Sequence, residues 1–208
     1  MTHVIELPRI TRGAELRAAS FNEADNSIEC CWTTGATVRR LSWRDGPYDE
    51  ELVVSSNAIR LDRLNAGAPM LNAHSDWSLS DVIGAVVPGS ARIEKGIGLA
   101  RVALSKAPGD ADIVQKIRDG IIRNVSVGYI RHAIEKIEKD GETPLWRVVD
   151  WEPHEISAVP VPADAGSQFR SMQGAGKDEP LFPCAVIGAG LEAARARLRM
   201  RTRHLGAR

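Results

Sequence analysis

Residues 28–165 consist of short apolar segments that alternate with turn signals, and this spacing constrains the fold more than any other feature. Residues 28–41 predict strand structure with a break at glycine, and the Asp-Gly-Pro run within 44–47 predicts a turn. Residues 108–120 differ, because their apolar side chains recur at helical spacing and the segment ends in glycine. Many short strands with few helices favour a mainly β domain, built as a closed or nearly closed barrel.

The two ends of the chain have a different composition from this middle part. Residues 1–27 form an N-terminal polar segment that is rich in turn formers and has little periodicity. Residues 166–190 are rich in Gly, Pro and Ala, which predicts a linker. Residues 191–208 carry six arginines against one acid and form a basic C-terminal tail. A helical docking segment, an arm for nucleic acid or an acidic scaffold, and a solvated basic end are all compatible with this tail.

Charge and cysteine usage exclude several classes of protein. Lys+Arg and Asp+Glu are equal at 27 each, so no overall field favours nucleic acid or an anionic membrane. No apolar run approaches the roughly 20 residues that span a bilayer. Cys30, Cys31 and Cys184 lack the spacing of a disulfide framework, and adjacent cysteines in a strand point to opposite faces. We expect no metal, no cofactor and no membrane partner, and nucleic acid is a disfavoured partner.

Three separate segments carry the residues that hydrolytic chemistry would need. Serine becomes an effective nucleophile only when a base, usually imidazole, takes its proton and a third group orients that base. His74 ends a short apolar run and precedes a polar loop. Ser126 follows the predicted helix, and if Val125 and Val127 face the core, Ser126 faces away from it. Gly128 has no Cβ, so a substrate backbone could approach closely there.

The third segment contains two candidate partners for the imidazole. His154 and Glu155 are neighbours, so only one of them can point at a given site if the segment is extended. Glu155 shares its face with Ser157 and Val159. Taken singly, each of these residues is also common at ordinary surface positions. The residue pattern alone therefore leaves open the alternative that they have no catalytic role.

Read in order, the three segments resemble the prohead protease family of tailed phages, the HK97-type maturation proteases. The resemblance covers roughly residues 35–165, and its blocks are Pro69–His74 followed by Ile83-Gly84, Gly120–Tyr129, and Glu155–Ala163. It implies a fold similar to the herpesvirus maturation proteases, which is a β-barrel surrounded by helices.

The resemblance also implies an activity and a set of roles. The chain would be a serine endopeptidase that removes scaffold sequence from the major capsid protein inside the immature capsid, in the host cytoplasm, and finally cuts itself. Ser126 would be the nucleophile, His74 its base and Glu155 the acid, with His154 as the alternative because the viral relatives use a second histidine there. The backbone N–H groups of Val127 and Gly128 are candidate oxyanion donors by geometry.

Two other hypotheses remain at this point. A capsid-assembly or scaffold component could keep this fold without activity, although a retired site need not keep all three side chains. A metal-dependent hydrolase is disfavoured because no His-Glu-x-x-His pattern occurs. Self-association is a further question that the viral relatives raise.

Overall fold

The computed structural model describes residues 3–8, 10–16, 20–42, 44–138, 140–161 and 181–187. Within them the helices are short: α1 (Asp62–Asn65) and α2 (Ala111–Arg118), with single 3-10 turns at Leu79–Asp81 and Pro108–Asp110. The strands, in chain order, are β1 (His3–Pro8), β2 (Ile10–Leu16), β3 (Ser27–Thr33), β4 (Val38–Ser42), β5 (Gly46–Leu52), β6 (Pro69–Asn72), β7 (Val82–Val86), β8 (Arg92–Glu94), β9 (Ile97–Leu104), β10 (Asn124–Ile137), β11 (Leu145–Ala158) and β12 (Leu181–Ile187).

This architecture confirms the predicted mainly β class with few helices. The predicted helix is α2, which buries Val114 and Ile117 on one face. Gly120 follows its end with a φ of 70°, the left-handed conformation that glycine adopts without steric cost. None of the helices in the described ranges is long and apolar enough to cross a membrane.

The predicted barrel surrounded by helices is wrong in two respects. The strands form one open sheet in the order β1-β12-β10-β2-β3-β9-β7-β6-β11-β5-β4, which ends in free strands rather than closing as a simple barrel. A further pairing of β10 with β11 folds this sheet back, so the strands from β10 through β2, β3, β9, β7 and β6 to β11 make a ring. The helices of the described residues are too few and too short to surround it.

The ends of the chain contribute more to the sheet than their composition predicts. Within the polar segment 1–27, β1 pairs with β12 and β2 pairs with both β10 and β3. Residues 181–187 of the predicted linker form β12, which lies beside β1 and β10. These strands form because backbone groups supply the ladder hydrogen bonds, so a weak side-chain pattern does not prevent pairing. The predicted basic tail 191–208 lies outside the described residues.

The core lies between the inner faces of the ring. Trp32, Tyr129 and Trp151 are fully buried there, and their rings meet edge to face at 5.9 Å and 5.4 Å between centroids. Cys30 and Cys31 lie in β3 as predicted. Both are buried, as is Cys184 in β12, and these three cysteines form no disulfide with one another. The core therefore fixes β10 and β11, which are the strands that carry the candidate site.

Candidate active site

The register between β10 and β11 places two of the predicted site residues side by side. The strands are antiparallel, with Ser126 opposite Ser157 and Gly128 opposite Glu155. Cross-strand partners on one face have Cβ atoms about 4.5–5.5 Å apart, so Ser126, Ser157 and Glu155 occupy one patch of the sheet. Val125 and Val127 face the hydrophobic core, and Ser126 is on the opposite face.

Ser126 is nevertheless buried. Its exposed fraction is 2%, so it is not the solvated strand residue that the pattern alone allows. Among the described residues no side-chain hydrogen bond joins Ser126 to His74. Catalytic hydrogen bonds are often long in proteins without bound substrate and shorten in the complex.

His74 reaches the same patch from the end of β6. This strand runs parallel to β11, with Leu71 opposite Ser157 and Asn72 opposite Ala158. The chain then turns tightly, because Ser75 N–H donates to the Asn72 carbonyl at 3.0 Å. Ala73 and His74 have φ values of 52° and 62°, a left-handed conformation that costs non-glycine residues energy. Such strain persists where surrounding contacts enforce it, which is common at functional sites.

The Glu155 carboxylate makes one hydrogen bond to the imidazole of His74 and another to Ser157, which holds the carboxylate itself in place. His74 Nδ1 lies 2.8 Å from Glu155 Oε1, and Ser157 Oγ donates to Glu155 Oε2 at 2.5 Å. The His74 backbone N–H donates to Ser157 Oγ at 3.2 Å. An ionised carboxylate accepts hydrogen bonds only, so its partner nitrogen Nδ1 carries the proton and Nε2 is left as the basic atom.

Gly128 makes room for this carboxylate rather than for substrate. A Cβ built at this position would lie 2.9 Å from Glu155 Cδ and closer still to Oε1. Contacts that short do not occur in relaxed structures, so a larger residue at 128 would displace Glu155. Ser157 and Gly128 are therefore the supporting residues that the sequence analysis missed in these roles. The shared face of Glu155 and Ser157 was the available signal for the serine.

His154, the predicted alternative to Glu155, lies at an irregularity of the β10–β11 register. His154 is skipped by the β10–β11 register, which shifts between the pairs at Gly128 and Tyr129, so it is the extra residue of a β-bulge. The bulge leaves Glu155 on the same face as Ser126.

The candidate oxyanion donors lie inside the sheet. Val127 and Gly128 pair with β11 on one side and β2 on the other, so their N–H groups point into the ladders. The structure does not support them as oxyanion donors.

Solvent reaches the patch at the histidine. The His74 side chain is 26% exposed, whereas that of Glu155 is 7% exposed. A low-dielectric surrounding strengthens the carboxylate–imidazole hydrogen bond relative to the same contact in water. The arrangement provides a buried hydroxyl, a half-buried base and a buried orienting carboxylate, which is the set of groups that acyl transfer requires.

Comparisons with known proteins give one relative by sequence and one by structure. No family model matches the chain. Over 115 residues, or 55% of the chain, it is 36% identical to the major capsid protein of Halomonas phage phiHAP-1. The aligned part is 19% of that protein, so the chain spans about a fifth of the relative that it matches.

A solved structure that the chain resembles is the capsid assembly protease of bacteriophage T4. The two chains share 10% sequence identity, and the superposition covers 73% of this chain and 98% of the other with a TM-score of 0.36. A superposition this loose assigns no function.

Proposed function

We propose that this chain is a serine endopeptidase that cleaves capsid or scaffold protein, and eventually itself, during prohead maturation inside the host cytoplasm. The observation that carries the proposal is the His74–Glu155 hydrogen bond on the sheet face that also holds Ser126. Sequence similarity to a phage major capsid polypeptide supports the setting.

Each side chain has one role in the proposed reaction. Ser126 Oγ attacks the scissile carbonyl carbon while His74 Nε2 takes its proton, and an acyl-enzyme forms as the same nitrogen protonates the leaving amine. Water then repeats the sequence and releases the second product. Glu155 holds the Nδ1 tautomer and stabilises the imidazolium, and Ser157 fixes the second carboxylate oxygen.

A non-enzymatic capsid or scaffold component is the second candidate. Sequence similarity to a major capsid protein favours it, as does the burial of Ser126. Under this hypothesis the His74–Glu155 contact would only stabilise the turn after β6.

Co-expression with the cognate capsid protein, read by intact mass, separates the two candidates. We expect wild type to cleave the capsid protein and Ser126→Ala or His74→Ala to lower the rate by at least about 10³-fold. Glu155→Gln should cost less than either, because it orients the base and does not react.

A second histidine–carboxylate pair provides a matched control. His132 Nε2 lies 3.1 Å from Glu152 Oε2 on the same two strands, six residues beyond Ser126 along β10. His132→Ala should leave cleavage unchanged, since at about 3.3 Å per residue it lies far from Ser126. Cleavage that survives Ser126→Ala, or that His132→Ala abolishes equally, would rule out the proposed mechanism.

A further inference from the structure

An apolar pocket opens beside the candidate site, between the end of β11 and helix α2. Ile113 of α2 and Ile122 of the segment before β10 form one part of its lining. Ala73, Ala158 and Val159 form another part, and the cavity measures about 250 Å³. Among the residues that the structure describes, Asn72 is the single amide side chain in the lining, and none of the lining side chains is ionisable.

The pocket adjoins the turn that carries His74 and the ends of the two strands that carry the other site residues. Ala73 precedes His74, and Ala158 follows Ser157 in β11. Ala158 pairs with Val125, and the Val159 N–H donates to the Asn124 carbonyl at 3.1 Å. The pocket therefore lies at the strand ends, one or two positions along the chain from Ser157. Ala158 and Val125 face the core there, whereas Val159 returns by alternation to the face of Ser157.

Size and chemistry define the occupant. A cavity of about 150 Å³ with aliphatic walls holds benzene, whereas pockets for drug-sized ligands measure about 300–1,000 Å³. A volume of about 250 Å³ thus suits one large apolar side chain. A charged side chain would lose its hydration there without gaining an ionic partner.

We propose that this pocket binds an apolar side chain, of leucine size or larger, that lies within two residues of the bond cleaved in the polypeptide substrate. The inference rests on the proposed function, since it names the substrate class of that same site. Apolar pockets discriminate between substrates that differ by one methylene by roughly 10- to 200-fold.

Methyl NMR on the full-length Ser126→Ala chain tests the pocket without depending on catalysis. The isoleucine δ1 methyl groups are labelled, and the chain is titrated with acetyl-Ala-Ala-Leu-Ala-Ala-amide or with the all-alanine peptide of equal length. We expect the Ile113 and Ile122 signals to shift saturably with the leucine peptide alone. Ile121, which is 70% exposed and does not line the pocket, is the internal control and should not shift.

Substitutions extend the test to specificity. Ile122→Trp should fill the pocket and abolish the leucine-dependent shift of Ile113, whereas Ile121→Trp should preserve it. In cleavage assays on capsid-derived peptides, Ile122→Trp should lower the preference for leucine over alanine at least about tenfold, and Ile122→Ala should extend acceptance to larger residues. Thermal unfolding of each variant identifies any that fail to fold.

The outcomes separate the two proposals. Absence of methyl shifts, or equal shifts with both peptides, overturns the pocket even if Ser126-dependent cleavage is found. Shifts that persist while no Ser126-dependent cleavage occurs sustain an apolar side-chain pocket and overturn the protease.

Discussion

At the residue scale, the candidate site depends on a carboxylate that two small residues allow to sit where it does. Ser157 binds one oxygen of Glu155 and also accepts the backbone N–H of His74, so it links the acid to the strained turn that carries the base. Gly128 leaves the volume into which the carboxylate folds. Neither residue would react, yet both determine where the imidazole points.

Ser157→Ala should lower kcat while leaving KM nearly unchanged, because it removes a hydrogen bond to a charged group that does not touch substrate. Such bonds contribute about 1.5–3 kcal/mol, which corresponds to a loss of roughly 10- to 150-fold. Steady-state kinetics on a capsid-derived peptide measures the effect. Ser157→Thr keeps the hydroxyl and should restore most of the rate; if it is as impaired as alanine, the hydroxyl is not the cause.

Gly128→Ala should separate Glu155 from His74. We expect activity to fall at least about 100-fold and the free energy of unfolding to fall by about 1–3 kcal/mol, since the added methyl meets the carboxylate. Gly109→Ala is the control, because nothing lies within 4 Å of a Cβ at that position. A fully active Gly128→Ala enzyme would contradict the assigned role of Glu155.

At the scale of elements, a buried ionic cluster ties β4, β5 and β10 together. Glu50 in β5 is fully buried and accepts hydrogen bonds from Tyr129 and from Arg131, the latter at 3.0 Å. Arg40 of β4 lies 3.4 Å from the same carboxylate. Burial is the largest single effect and would lower the pKa of Arg131, but Glu50, Tyr48 and Tyr129 together more than offset it, so the pKa is raised.

Glu50→Ala should destabilise the protein by about 3–5 kcal/mol, because it leaves the buried guanidinium group of Arg131 and the mostly buried one of Arg40 without their shared carboxylate. Urea unfolding measures the change. Glu51, the next residue, pairs with Arg147 at 3.0 Å where both side chains are partly exposed. Glu51→Ala should therefore cost less than about 1 kcal/mol. Equal costs for the two variants would show that burial of the cluster does not set its contribution.

At the scale of the whole molecule, strands from both ends of the chain belong to the same core as the middle. Cys30 of β3 and Cys184 of β12 are both fully buried in one hydrophobic cluster. Burial raises the pKa of each thiol to about 12. Thiolate is the reactive form, so neither residue should react in the folded protein near neutral pH.

Alkylation with iodoacetamide at pH 8 tests whether the sheet unfolds as one unit. We expect negligible modification of Cys30 and Cys184 in buffer and equal modification of both in parallel with the urea transition, measured by mass spectrometry of digested samples. Rapid modification of Cys184 alone would show that β12 opens separately from the rest of the sheet. The predicted linker, which contains β12, would then unfold as a unit of its own.

Local periodicity was enough to predict part of this protein. The strands near residues 28–41, 69–74 and 82–104 and the helix α2 agree with the sequence because alternation and helical spacing are properties of neighbouring residues. The candidate residues Ser126, His74 and Glu155 came from the resemblance together with strand geometry. Strand alternation indicated that only one of His154 and Glu155 could face the site, but it did not indicate which one.

Tertiary structure decided the rest, because strand pairing joins residues that are distant in sequence. It paired Ser126 with Ser157, brought His74 to Glu155, and filled the space at Gly128 with a carboxylate. It also gave β10 a partner on both sides, which removes the expected oxyanion donors, and recruited β1, β2 and β12 from segments whose composition indicates no strand. These pairings depend on backbone hydrogen bonds, and the pattern of side chains along the sequence does not reveal which strands will form them.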